Sequence, residues 1–239
     1  MNTTIIFDVD DTLYNLMSPF EAAIKEMYPD QIADEDMEEL FHAFRFHSDD
    51  LFPLVETKEL QLEKMRELRL IKSLKQFDVE TTSQAALKFQ EIYEKNQSQI
   101  VLDKEMHKTL RWLRDNQVDM AVLTNGPTVH QYKKINQLGV KNYIPSERLF
   151  VSQEVGVSKP HVGVFKHIEH TLGLPNTDKI YYIGDSYEND IVGSQCAGWK
   201  SIWLNKYNKD MSAQYYQPDY TLHRDDSLLE LLKKILVRN

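Results

Sequence analysis

Asp8 and Asp10 stand two residues apart, directly after the short β-favouring run Thr4-Ile5-Ile6-Phe7. A buried strand that ends this way delivers two carboxylates to its C-terminal end, which is where ligands bind in an open α/β sheet. Two close carboxylates repel each other unless a cation or a shared proton intervenes. Alone, the pair suits a solvated acidic turn equally well, so its meaning rests on what accompanies it.

Three further signals follow predicted strands. Thr124-Asn125-Gly126 comes after Ala121-Val122-Leu123 and brings a hydroxyl and an amide to a helix N-terminus, a place suited to an anion. It is also an ordinary strand-to-helix turn. Ser158-Lys159-Pro160 opens a helix, with Pro160 suited to its first position and Lys159 aimed by it. A lone lysine is otherwise a solvated charge. In Ile183-Gly184-Asp185-Ser186, Asp185 also suits a helix N-cap, and Asp190 lies five residues on. In order, the four strand ends present DxDxT, Thr-Asn, Lys-Pro and GDxxxxD. Together they offer three carboxylates for a hard divalent cation, one lysine, and hydroxyl and amide donors for a phosphate. The chain holds no Walker lysine loop, GxGxxG, HExxH or GxSxG.

The elements that must position these residues are legible in the periodicity. From Leu16 to Asn96 there is no glycine and there are three prolines, Pro19, Pro29 and Pro53. Apolar residues recur there at helical spacing, which predicts four or five helices, with breaks at Tyr28-Pro29-Asp30 and between His47 and Pro53. From Asp103 onward helices alternate with strands: helix 104–116, strand 119–123, helix 129–138 stopped by Gly139, a strand near 149–152, helix 162–172, strand 180–183, helix 189–197, strand 200–204, an extended piece near Tyr220 and a closing helix 228–237. That alternation predicts an α/β fold, a Rossmann-like parallel sheet with helices on both faces. The expected division is a core of residues 1–15 and 99–239 and an inserted all-helical segment of residues 16–98, placed as a lid over the C-terminal edge of the sheet.

Composition narrows the partners. The 239 residues carry 28 basic and 37 acidic side chains, a formal charge of −9, so neither a nucleic-acid polymer nor an anionic membrane is expected as the main partner. Between Asn15 and Ile100 there are 18 acidic and 10 basic residues, a net of −8, which leaves −1 for the remainder. A small, metal-bound anion suits that distribution. No signal peptide and no apolar run of about 18 residues is evident, so a cytoplasmic protein is expected. Cys196, the single cysteine, excludes an intramolecular disulfide, and its small neighbours predict a core position. No feature selects between a monomer and a homodimer.

The motifs FDVDDT, LTN, KP and GDSYEND resemble, in order and spacing, those of the haloacid dehalogenase superfamily of phosphohydrolases. The likeness runs along the whole chain, the helical stretch corresponding to that family's cap. Within the superfamily, DVDDTLY, LTNG, EVGVSKPHVGVF and IWLN look most like nucleoside 5′-monophosphatases acting on pyrimidine and non-canonical nucleotides. The resemblance implies that Asp8 attacks phosphorus to form an aspartyl phosphate, while Asp10 protonates the leaving alkoxide and then activates water. Family members that act on carbon–halogen bonds lack an aspartate at that second position. Mg²⁺ is implied as cofactor, held by Asp8, the backbone carbonyl of Asp10, and Asp185. Thr124 and Asn125 would bind the phosphoryl oxygens, Lys159 would bridge nucleophile and phosphate, and Asp190 would orient Lys159 or a metal-bound water. Asp11 and Thr12 complete the first motif structurally.

The expected activity is therefore that of a Mg²⁺-dependent phosphomonoesterase acting on a small phosphorylated metabolite, a nucleoside 5′-monophosphate first. A sugar-phosphate or phosphoglycolate phosphatase and a phosphomutase share the same residues, and a non-catalytic binding protein is the reading from another class. Substrate choice falls to the helical segment. There Phe41, His42, Phe44, Arg45, Phe46 and His47 crowd into seven residues, where a base could stack on the rings and Arg45 could reach phosphate or base edges. Phe41 and Phe44 equally suit the buried face of a helix.

Overall fold

The computed structural model describes residues 3–174 and 179–237. The elements begin with β1 (Thr4–Phe7), followed by α1 (Met17–Met27), α2 (Met37–Glu56), α3 (Leu62–Lys75) and α4 (Ser83–Gln97). Next come α5 (Lys104–Asp115), β2 (Asp119–Thr124), α6 (Thr128–Gln137), β3 (Leu149–Val151), the short α7 (Ser152–Val155) and α8 (Val162–Leu172). The chain closes with β4 (Ile180–Gly184), a π-helical turn at Tyr187–Val192, the short α9 (Gly193–Cys196), β5 (Lys200–Leu204), β6 (Tyr220–Leu222) and α10 (Leu228–Val237). Two compact units result, one built from the residues up to Asn15 together with those from Val101 onward, the other Leu16–Ile100.

The first unit holds a six-stranded sheet in the order β3-β2-β1-β4-β5-β6, parallel throughout. β1 is central: Phe7 pairs with Val122 of β2 on one side and Ile183 of β4 on the other. The winding proceeds from β1 through β2 to β3, then resumes on the other flank with β4. The C-terminal ends of β1 and β4 thus form the switch point where such sheets bind ligands. Strand residues alternate between faces. Ile6, Leu123 and Tyr182 pack with Val164, Phe165 and Ile168 of α8 and with Trp199. The intervening Ile5, Phe7, Val122 and Ile183 are buried as well, as expected of a parallel sheet covered on both faces. Gly139 ends α6 as anticipated, in the left-handed conformation (φ 65°) that a residue without a Cβ adopts at little cost.

The second unit comprises α1 to α4 and a 3₁₀ turn at Asp34–Asp36. Its centre is aromatic: Phe20, Phe41, Phe44, Phe89 and Tyr93 are buried, and Phe20 lies 4.8 Å from Phe44 and 5.8 Å from Phe89 between ring centroids.

Several local expectations are corrected. The predicted break between His47 and Pro53 does not occur, and α2 runs through Pro53. Pro53 and Asp49, one turn before it, are both exposed, so the helix carries the proline on its solvent side. Pro160 does not open a helix; it follows a cis peptide bond with Lys159, and α8 begins at Val162 with His161 as N-cap. The helix expected over 189–197 divides into the π-helical turn and α9. Cys196 is exposed rather than in the core, because it ends α9 on the side away from buried Ala197 and Trp199. None of the described helices is long and apolar enough to cross a membrane.

Candidate active site

Asp8 follows β1 and Asp185 follows β4, so neighbouring parallel strands carry their carboxylates to the switch point. The backbone N–H of Asp8 donates to the carbonyl of Ile183 at 2.9 Å, which continues the ladder one residue past β1. Asp190 joins them through the π-helical turn, the kind of local widening often found at functional sites. One carboxylate oxygen from each of Asp8, Asp185 and Asp190 lies within 4.8 Å of the others. Gly184 makes room for this arrangement, since a Cβ there would stand 2.1 Å from Oδ2 of Asp190.

Lys159 is buried against that cluster. Its Nζ donates to Asp190 Oδ1 at 2.6 Å, to the Tyr182 hydroxyl at 2.7 Å and to Asp8 Oδ1 at 2.8 Å. These bonds account for all three ammonium protons. Tyr182 in turn donates to the Leu123 carbonyl at 2.7 Å, and the Ser186 N–H donates to Asp190 Oδ2 at 2.9 Å. Asp8 and Asp190 share the Lys159 ammonium, and Asp185 brings a third carboxylate within 4.8 Å of theirs. Burial pushes the Asp8 carboxyl up to about 7; Lys159 opposes that rise, while Asp190 and Asp10 add to it. Burial alone would lower Lys159, but the carboxylates of Asp190 and Asp8 outweigh it and hold the ammonium well above its ordinary range. Three carboxylate oxygens this close together fit a small hard cation.

The Asp10 side chain faces different partners. Lys134 Nζ lies 2.6 Å from Oδ1 and 2.7 Å from Oδ2; Tyr14 donates to Oδ1 at 2.5 Å and Gln131 Nε2 to Oδ2 at 2.9 Å. Tyr14, Gln131, Lys134 and Tyr182 were not anticipated from the sequence. Gln131 and Lys134 are three apart and so share a face of α6, one turn beyond the TNG motif, but a polar pair on an amphipathic helix is usually solvated. Tyr182 carried a better signal: a hydroxyl within a buried strand requires a partner.

Thr124 ends β2 with its hydroxyl buried and no hydrogen-bond partner, an atom poised to bond a ligand oxygen. Asn125 joins the Lys159 segment. Its Nδ2 donates to the Lys159 carbonyl and its Oδ1 accepts from the Lys159 N–H, both at 2.9 Å, so its side chain braces the Lys159 segment. Asp11 and Thr12 are buried, and Lys206 Nζ donates to the Asp11 carbonyl at 2.5 Å.

In the helical unit Phe41 and Phe44 are inner-face residues, closed to a stacking base by their packing on Phe20. The guanidinium over the Phe44 ring, 4.2 Å from its centroid, belongs to Arg69 of α3. Arg45 is half-buried on α2, and His47 bonds Gln76 at 2.9 Å.

Residues 3–198, with both acidic strand ends and the helical insertion, match the model of the haloacid dehalogenase-like hydrolases. The chain belongs to that family. Among curated relatives of this hydrolase, the pyrimidine 5′-nucleotidase YjjG of Escherichia coli (strain K12) is 30% identical over 115 residues, 48% of this chain and 50% of that protein, so the match spans half its length. The glyceraldehyde 3-phosphate phosphatase of Methanocaldococcus jannaschii is 26% identical over 238 residues, 97% of each chain. Among solved structures, the putative HAD-hydrolase YfnB of Bacillus subtilis, bound to magnesium, superimposes with a TM-score of 0.73 over 98% of each chain at 23% identity, a likeness of fold.

Proposed function

We propose that this hydrolase is a Mg²⁺-dependent phosphomonoesterase working through an aspartyl phosphate on Asp8. The observation that carries this reading is the meeting of Asp8, Asp185 and Asp190 around the buried Lys159 beside the unpartnered Thr124 hydroxyl. The phosphatase names of its relatives support the same class of reaction.

Asp8, Asp185 and the backbone carbonyl of Asp10 would hold Mg²⁺, with Asp190 at the edge of the set. Bound there, the ion would favour the ionised form of Asp8 and offset the repulsion between carboxylate and phosphate. Asp8 attacks phosphorus and the bond from phosphorus to the ester oxygen breaks; Asp10, whose two oxygens accept from Lys134, Tyr14 and Gln131, must take up a proton and give up one of these donors before it can protonate the departing alkoxide. Water then attacks phosphorus, Asp10 takes its proton, and the bond from phosphorus to Asp8 breaks, releasing inorganic phosphate. Thr124 bonds a phosphoryl oxygen, as preorganised donors do in such sites. Lys159 holds Asp8 in place, and it must give up Tyr182 or Asp190 before it can also reach the phosphate.

In this reading the core of residues 1–15 and 99–239 is catalytic and the helical segment of residues 16–98 is a cap that excludes water and selects substrate, with Arg45 as its candidate contact. A nucleoside 5′-monophosphate is the first substrate, in keeping with the motif resemblance and with YjjG. The full-length match to a glyceraldehyde 3-phosphate phosphatase favours a sugar phosphate as the second. Phosphate release from a panel of nucleotides and sugar phosphates, with and without EDTA, tests both levels. Turnover that survives exhaustive chelation removes the metal from the proposal. Preference for a triose or hexose phosphate removes the nucleotidase assignment and leaves the phosphatase.

A further inference from the structure

Ile202-Trp203-Leu204-Asn205 and the following Lys206 take no part in the chemistry at phosphorus, yet side chains from this end of β5 reach both acidic strand ends. Trp203 pairs with Gly184 in the ladder between β5 and β4, and its indole N–H donates to the Asp185 carbonyl at 2.9 Å. The indole is buried, so its N–H requires an acceptor. Its ring lies 5.7 Å from that of Tyr187, which opens the π-helical turn carrying Asp190. Lys206 reaches past β4 to the turn after β1. Its Nζ donates to the Asp11 carbonyl at 2.5 Å and lies 3.6 Å from Oδ1 of the same residue. Asp11 is 2% exposed and has a φ of 58°, a left-handed conformation that a residue with a Cβ keeps only where its surroundings hold it. The base of the lysine is fixed as well. The Asn205 N–H donates to the Leu222 carbonyl at 2.8 Å, and the Asn205 side chain closes a turn on Lys209, with Oδ1 accepting from its N–H at 2.8 Å and Nδ2 donating to its carbonyl at 2.9 Å.

We propose that the end of β5 braces the cation site, with Lys206 as positioning residue for the turn that presents the Asp10 carbonyl and Trp203 for the loop that presents Asp185. This rests on the reading of Asp8, Asp185 and the Asp10 carbonyl as Mg²⁺ ligands, and it adds two residues that none of the four motifs contains. The Asp10 carbonyl belongs to the peptide that ends at the Asp11 nitrogen. With the carbonyl and the carboxylate of Asp11 both drawn to one ammonium, that peptide has little freedom to swing. Mg²⁺ tolerates little departure from octahedral geometry, and groups that orient metal ligands are commonly worth about 10- to 100-fold in affinity. Charge alone acts in the opposite sense: an ammonium near the carboxylates weakens their pull on a dication, so its removal would tighten binding. The sign of the change therefore separates positioning from simple electrostatics.

The test is a calorimetric titration of the full, metal-free chain with Mg²⁺ alone, without substrate. Lys206→Met should raise the Mg²⁺ dissociation constant about tenfold, and the Mg²⁺ concentration for half-maximal turnover of p-nitrophenyl phosphate should rise by the same factor. Lys206→Arg, which keeps a charged donor, should recover part of the affinity. Trp203→Phe keeps a ring against Tyr187 and changes no charge, and it should also weaken Mg²⁺ binding, by about threefold or more. Should Lys206→Met fail to fold, Trp203→Phe carries the test. Unchanged or tighter Mg²⁺ binding in the variant overturns the proposal. A lowered urea midpoint with wild-type Mg²⁺ affinity does so too, since it marks contacts that only stabilise the fold. A wild type that binds no Mg²⁺, or an Asp185→Asn variant that binds it as tightly as the wild type, overturns the underlying reading of the metal ligands and this proposal with it.

Discussion

The hydroxyl of Tyr182 accepts a hydrogen bond from Lys159 at 2.7 Å and donates one to the Leu123 carbonyl at 2.7 Å. One phenol thereby ties the buried ammonium to the backbone of β2, next door to the strand that carries Asp8. Tyr182→Phe leaves one ammonium proton and one buried carbonyl without a partner, so a loss of about 1–3 kcal/mol in stability is expected. Urea denaturation of the metal-free protein measures it. An unchanged midpoint would show that another group replaces the hydroxyl.

Gly184→Ala should damage the site more than its size suggests. The new Cβ would meet Asp190 Oδ2 at 2.1 Å and Cγ at 2.4 Å, and the π-helical turn must shift to relieve the contact. Overpacking of this kind costs about 1–3 kcal/mol. The origin is checked by a double-mutant cycle: in the Asp190→Ala background, Gly184→Ala should cost much less than in the wild type. Additive losses would place the strain elsewhere.

The metal-free protein should lose stability relative to Asp8→Asn as pH rises from about 4 to 7. Asp8 is pushed by burial from an ordinary 3.8 to about 7, so within that window the folded state holds a proton that the unfolded state has released. The unfolded state then binds fewer protons, and stability falls with rising pH. Above about 7 both states are ionised and the difference levels off. Denaturation of both proteins at a series of pH values in EDTA checks the sign, and added Mg²⁺ should flatten the decline if it occupies the carboxylate cluster.

Arg69 should be the residue on which the helical unit depends most for its polar interior. Its guanidinium donates to Ser48 of α2 at 3.0 Å and to Gln90 of α4 at 2.8 Å while lying over Phe44. Burial, the largest influence, together with the charges of Arg66 and Arg45, lowers it to about 10, which still leaves it charged at neutral pH. Arg69→Lys keeps the charge but loses the planar fork and should not rescue. Faster hydrogen exchange across Leu16–Ile100 in Arg69→Ala and Arg69→Lys alike is the expected result; wild-type exchange in the lysine variant would count against the fork.

The sequence by itself determined the sheet class and the presence of helices between β1 and β2, and it singled out Asp8, Asp10, Thr124, Lys159, Asp185 and Asp190 as candidates. These follow from local signals: apolar runs of strand length, helical periodicity, and polar residues placed just past a strand. What lay beyond it was of two kinds. Backbone detail such as the continuation of α2 through Pro53 depends on where the proline sits relative to solvent, which is a matter of exposure and not of propensity. Partnerships such as Lys134 with Asp10, 124 residues apart, and Tyr182 with Lys159 depend on which faces of distant elements meet. Lysine, glutamine and tyrosine read locally as ordinary helix or strand residues, and only the folded sheet, by burying them beside the carboxylates, decides that their polar atoms must be satisfied there.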